Sequence, residues 1–414
     1  MMPVSLRRGA VAGLLPILIG SALPAVARTL PGPQDHMLTV DRVVVVMRHG
    51  IRPPTKLQPM PAGTAAEDWP TWPVAPGWLT PHGTRAVEAI AAADRDVFRA
   101  TRLLPALGCP ARLALLADSD QRTIATAEAY ARGVAPGCTI AIEHSPQDTP
   151  DPLFAQIDGE HMPLDPAKAA AAVAAAVGSG GISRIEARMM PLLRRLDHVL
   201  CGRIAPAPPC GVTRNPSAII PATVSSRPKL AGTLDRASTA AQILLLEYAD
   251  AKPLRDVGWG RATPADIAAF GEFHALEFTL IARPGYIAAR NMAALSARIE
   301  HWLRDTARDA PTIAMIAGHD TNIANLAGLL GLHWHVPGIA ADDPVPGGAI
   351  LLERLTDASG RHYVRAVYRA QTLEQLRAGT AHAPYRRILP IAGCRAHGVT
   401  GLCSLDGFVQ RLKG

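Results

Sequence analysis

Three short aliphatic runs along the chain each end abruptly in charge: Arg42 to Met47 in RVVVVM, Arg112 to Leu116 in RLALL, and Thr312 to Ile316 in TIAMI. Their apolar residues are consecutive rather than alternating, which predicts strands buried on both faces, as in a parallel sheet. A helix-like pattern closely follows two of them, RTIATAEAYARG after the second and TNIANLAGLLGL after the third. Between the first two lies LTPHGTRAVEAIAAADRDVFRATRLL, where Thr80 suits an N-cap and Pro81 the first helical position. Strand then helix, repeated, predicts an α/β fold with a mostly parallel central sheet flanked by helices.

The middle of the chain has a different texture. LDPAKAAAAVAAAV is alanine-rich, with Asp165 and Pro166 as a helix start, and two further helices are expected in LAGTLDRASTAAQILLLEYADA and PADIAAFGEFHALEFTLIA. Residues 151–285 therefore read as a smaller, mostly helical domain inserted into an α/β domain made of 28–150 and 286–414. AILLERLTD and RHYVRAVYRA return to strand-like patterns and are expected to complete the sheet edge.

Composition adds a compartment. Arg7 and Arg8 precede an apolar run broken by Gly20 and Pro24, and Ala25-Val26-Ala27 follows it. This is the layout of an export signal cleaved after about Ala27, leaving a periplasmic or secreted protein without a membrane anchor. The net charge of +7 falls to +5 without residues 1–27, which contain two arginines and no carboxylate. Such a mild excess, with no dense basic run, disfavours nucleic acid and suits a local anion site. Six cysteines in the exported part suggest disulfides. Cys201 with Cys210 and Cys394 with Cys403 would close short loops, leaving Cys109 for Cys138. Zinc is the rival, but no CxxC or HxxxH spacing supports it. His333 and His335 lack a third ligand, so neither metal nor cofactor is expected.

In an open parallel sheet, ligands bind beyond the carboxyl ends of the strands. Here those ends carry Arg48, His49 and Arg52, then Asp118 and Arg122, then His319 and Asp320. Any one alone is an ordinary structural or solvated residue. Together, three arginines and two histidines at one edge call for an anion, and guanidinium forks suit phosphate.

These residues also carry a resemblance. RHGIRPPT, residues 48 to 55, resembles the RHGxRxPT signature of the histidine acid phosphatases, and Gly318-His319-Asp320 resembles their distal HD motif. WPTWPVAPGWLTPHG, ADSDQRT, DPLF, VGWGR and AGHDTNIANLAG look most like the bacterial periplasmic branch containing phytases and glucose-1-phosphatases. The resemblance implies a phosphoglycerate mutase-like fold and a small phosphomonoester as substrate, with phytate or a sugar phosphate as candidates; a monomer is expected. It implies His49 as nucleophile, Asp320 as proton donor, and Arg48, Arg52, Arg122 and His319 around the phosphoryl oxygens. Thr55 and Lys56 are expected to touch substrate beyond its scissile phosphate, and Asp118 to orient the arginines. Two features depart from the family: Gln242 stands where related phytases often have an acid, and a further C-terminal cysteine pair is missing. A non-catalytic phosphate-binding protein is the alternative, although a pure binder needs neither His49 nor Asp320. A phosphomutase fits poorly with export.

Overall fold

The computed structural model describes residues 38–158, 161–202 and 210–414. The expected export signal lies outside them. The chain begins with β1 (Thr39–Arg48), α1 (Pro81–Ala100), β2 (Leu113–Ala117), α2 (Gln121–Val134) and β3 (Ile142–Glu143). A helical stretch follows, with α3 (Pro166–Val177), α4 (Gly181–Cys201), the short strands β4 (Ala218–Ile220) and β5 (Lys229–Ala231), α5 (Thr233–Ala249) and α6 (Pro264–Ile281). Next come α7 (Gly285–Asn291), α8 (Ala293–Arg304), β6 (Ile313–Gly318) and α9 (Asp320–Leu330). The chain closes with β7 (Ala349–Thr356), β8 (His362–Ala370), α10 (Leu373–Ala378), β9 (Tyr385–Leu389), β10 (Arg395–Ala396), β11 (Val399–Thr400), β12 (Cys403–Ser404) and α11 (Leu405–Leu412).

The main sheet runs β12-β8-β7-β1-β6-β2-β3, with β9 also paired to β8. β1, β6, β2 and β3 are parallel. The C-terminal strands do more than finish an edge: β7 lies antiparallel against β1, and β8, β9 and β12 extend that half of a mixed sheet. Seven of the eight residues of β7 are buried, which is why it tolerates a central place.

Pleating sends successive side chains of β1 to opposite faces. Val43, Val45 and Met47 pack with Val87, Ile90 and Phe98 of α1 and with Tyr130 of α2. Val44 and Val46 belong to a larger cluster that takes in Leu193 of α4, Leu244 of α5, Phe270 of α6 and Leu326 of α9. The helical stretch thus shares a core with one face of the sheet. Its helices begin as their caps direct: Asp165 accepts from the backbone of Ala167 and Lys168, and Thr263 forms a reciprocal capping box with Asp266. The cysteines are bonded as Cys109–Cys138, Cys201–Cys210 and Cys394–Cys403.

Register brings the chemistry together. Arg48 lies opposite Gly318, and Ala117 opposite Ala317, so β1, β6 and β2 end level. The alignment persists one residue further: His49 N donates to Gly318 O at 2.8 Å, and Asp118 N to Ala317 O at 3.1 Å.

Candidate active site

His49 follows the last residue of β1 and is 1% exposed. Its backbone is held on both sides, since Gly347 N donates to His49 O at 3.0 Å. The loop after it is fixed by close approach to α1. A side chain at Gly83 would put Cβ 2.5 Å from Ile51 O, so only glycine lets the start of α1 reach the loop. Gly50 N also donates to Thr126 Oγ1 at 3.0 Å. The imidazole is oriented by its own turn. Nδ1 lies 2.8 Å from Gly50 O, a contact that requires a proton on Nδ1 and leaves Nε2 with a lone pair. Burial and the charges of Arg122, Arg52 and Arg48 press its pKa well below 6.5, so the ring stays neutral in acid.

Asp320 opens α9. His319 before it is extended, with φ −115° and ψ 167°, and its N–H donates to Asn322 Oδ1 at 2.9 Å. The strand therefore turns into the helix at His319, and both side chains line the cavity that holds His49, Arg52 and Arg122. This cavity measures about 270 Å³. Asp320 Oδ2 lies 3.0 Å from Arg48 Nη2 and 3.9 Å from His274 Nε2. Burial alone would favour the neutral acid, but Arg48 first, then His274 and Arg52, outweigh it and hold the carboxyl well below the usual range.

The cations occupy two tiers. Arg52 and Arg122 line the cavity, as does Arg227, which sequence reasoning did not single out and which pairs with Asp158 at 2.7 Å. Burial and the neighbouring Arg122 lower the Arg52 pKa to about 9, a sign of crowded positive charge. Arg48 lies deeper and is fully buried, donating from Nη2 to Gln242 Oε1 at 3.0 Å and from Nη1 to Pro344 O. The Nε atoms of Arg48, Arg52 and Arg122 are buried without a partner among the described residues. An anion in this cavity would meet an electropositive surface with unsatisfied donors.

The carboxylates differ from expectation. Asp118 makes no ion pair or hydrogen bond with an arginine among the described residues: its Oδ2 pairs with His319 Nε2, and Oδ1 accepts from Ser119 N at 2.7 Å. The acid on Arg122 is Asp120, at 2.6 Å from Nη2. His319 Nδ1 lies 3.4 Å from Arg122 Nη2, so both ring nitrogens face protein partners. A direct bond from His319 to a phosphoryl oxygen requires the ring to exchange one of them. Thr55 and Lys56 line an adjoining cavity of about 330 Å³ with Arg52, Gln242 and Asp320.

That cavity also contains residues sequence reasoning missed, His274 and Glu277 of α6 and Ser238 and Thr239 of α5. His274 Nδ1 lies 2.6 Å from Asp343 Oδ1, so an Asp343–His274 pair backs Asp320. Ser238 donates to Glu277, whose carboxyl is raised by burial. Asp118, Asp120 and His319 could also hold a cation by spacing, but their partners here are Ser119, Arg122 and one another.

A buried histidine with a free Nε2, three cavity-lining guanidiniums and an acid across the pocket define a phosphatase built around a histidine. A family model described as histidine phosphatase superfamily (branch 2) matches residues 39–206 and 285–369, and the chain belongs to that family. It is a phosphoric monoester hydrolase rather than a bare phosphate binder. The chain is 34% identical over 426 residues to the phytase AppA of Escherichia coli (strain K12), covering 96% of each. It is 27% identical over 424 residues to a glucose-1-phosphatase of Salmonella typhimurium, covering 98% of each. Among solved structures, a Hafnia alvei phytase in complex with tartrate superposes with a TM-score of 0.83 at 32% identity, over 91% of this chain and 96% of that one. No helix among the described residues is long and apolar enough to cross a membrane.

Proposed function

We propose that this chain hydrolyses phosphomonoesters through a phosphohistidine at His49, with phytate among its substrates. The Nε2 lone pair attacks phosphorus, the bond from phosphorus to the ester oxygen breaks, and Asp320 gives its proton to the departing alcohol. Water then attacks phosphorus and returns a proton to Asp320. The phosphorus–nitrogen bond breaks, releasing phosphate and neutral His49. Arg52 and Arg122 meet the phosphoryl oxygens as negative charge spreads over them. Arg48 acts from beneath by holding Asp320, and His319 joins when an oxygen displaces one of its partners.

The observation carrying this reading is His49 itself, with Nδ1 tied to Gly50 O and Nε2 left for attack beside Arg52 and Arg122. Phytate is favoured because the relatives include phytases and because Lys56 stands at the adjoining cavity, where a second phosphate would lie. The three disulfides suit an exported protein, and the chain is taken to act as a monomer. Rapid-quench labelling with phosphate-tagged substrate is the test. Native protein should form an acid-labile phosphoenzyme and His49→Ala none; equal labelling in both removes His49 from the mechanism. Rates on phytate and glucose 1-phosphate should rank phytate first.

A further inference from the structure

The segment between β1 and α1 folds over α5 and leaves a second cleft beside the substrate cavity. The cleft is about 250 Å³, and its walls include Leu57, Trp69, Trp72 and Val74 from the loop and Ile243 and Glu247 from α5. Pro54, Lys56, Pro59 and Ile243 line both this cleft and the cavity holding Arg52 and Asp320, so the two adjoin along a shared wall. A molecule with its phosphate at His49 could pass its other end over Ile243 into the cleft.

The aromatic walls are set in place beforehand. Trp69 packs on Trp259 with ring centroids 5.0 Å apart. Trp259 Nε1 donates to Asp68 O at 3.0 Å. Lys252 Nζ lies 4.1 Å over the Trp72 ring and donates to Thr71 O at 2.6 Å. Loop and rings are thus tied down from behind, and a ligand need not pay to order them. Leu57 is 86% exposed on the cleft rim, an apolar side chain left in water unless something covers it.

Glu247 is fully buried where it lines the cleft. Its Oε2 accepts from Gly258 N at 3.2 Å, while Oε1 has no partner among the described residues. Burial pushes the carboxyl up to about 8, so in acid it carries a proton, and Oε1 is the oxygen free to hold it.

We propose that the cleft is a leaving-group subsite for a flat, uncharged aromatic group joined to the phosphate by a short spacer. Rings stack on Trp69 and Trp72, and the protonated Glu247 in the wall adds no charge that would repel them. A second phosphate is excluded, because among the residues lining the cleft only Lys56 at its rim is cationic and burying an unpaired charge is costly. The proposal rests on the phosphatase reading and adds a substrate class to it.

The test compares ethyl phosphate with a coumarin-ethyl phosphate, two esters of alkyl alcohols that differ only in the distal ring. The wild type should favour the coumarin ester in kcat/KM by roughly tenfold, carried by KM, from the apolar area covered. Leu57→Asp and Trp72→Ala should each bring that ratio down to within about threefold of unity. Leu57 is a surface residue, so its variant folds even where Trp72→Ala disturbs the loop. Equal rates on the two esters in the wild type, or a preference surviving both substitutions, overturns the subsite and leaves the phosphatase reading intact. Hydrolysis of neither ester while phytate is cleaved overturns the subsite alone, and phytate left intact as well overturns the proposed phosphohistidine route.

Discussion

In the proposed mechanism Asp320 delivers a proton while standing 3.0 Å from the guanidinium of Arg48. The surrounding cations by themselves hold it ionised. A phosphate dianion cancels much of that positive field and repels the carboxylate, which returns its pKa towards a useful range. His49 needs no such correction, because burial and the same arginines keep it neutral well below pH 6.5. The rate should therefore fall on the alkaline side as Asp320 loses its proton, and the acid limb should lie well below 6.5. An optimum of kcat, which reports the groups of the substrate complex, is expected below about pH 6, and a profile peaking above neutrality would remove Asp320 as the acid. Gln242 offers a finer probe, since its Oε1 shares Arg48 Nη2 with Asp320. Gln242→Glu brings a second carboxylate to that nitrogen. Repulsion should raise the Asp320 pKa by on the order of one unit and move the alkaline limb up by as much. An unmoved limb in the variant's pH–rate profile would separate Gln242 from the proton donor.

At the scale of elements, the two halves of the site differ in how they are written in the chain. β1, β2 and β6 are legible because strands buried on both faces are apolar at consecutive positions, and their level ends follow from parallel pairing. Arg48, His49 and Arg52 are then legible because they fall within one five-residue stretch. α4 is not, although Ile185, Met189, Leu193 and Leu196 share its buried face, because Pro191 interrupts the pattern and tertiary packing has to sustain the helix. His274 and Glu277 escape for another reason: α6 is apolar on several sides, and only tertiary structure shows that His274 meets Asp343, 69 residues away. Asp118 is expected from sequence to orient the arginines, and that its side chain pairs with His319, 201 residues away, is visible only in the tertiary structure. Glu247 on α5 gives this scale its own prediction. A buried carboxyl with a pKa raised to about 8 binds its proton more tightly folded than unfolded. The stability it permits is full below about pH 4.5 and is lost progressively as pH rises towards 8. Glu247→Gln keeps the shape and removes the titration. Thermal melts should show wild type and variant alike near pH 4, with the variant ahead by up to a few kcal/mol at pH 8.

Across the whole molecule, the demands of stability and catalysis fall on opposite edges of the sheet. Cys109 precedes β2 and Cys138 follows α2, so their disulfide fastens the amino edge of the parallel half, while His49, Asp118 and Asp320 stand at the carboxyl edge. The five residues of β2 span about 17 Å between the two. Cross-linking residues 29 apart in sequence restricts the unfolded chain and should contribute roughly 3 to 4 kcal/mol. Because the bond closes no part of the pocket, its loss should lower stability without changing the chemistry. Replacing both cysteines by alanine is therefore expected to lower the melting temperature by several degrees while kcat/KM at 25 °C stays within about twofold of wild type. A large fall in kcat/KM with the melting temperature held would mean that the amino edge governs the placement of β2, and through it of Asp118 and His319. The register linking Ala117 to Ala317 is the path by which such an effect would have to travel.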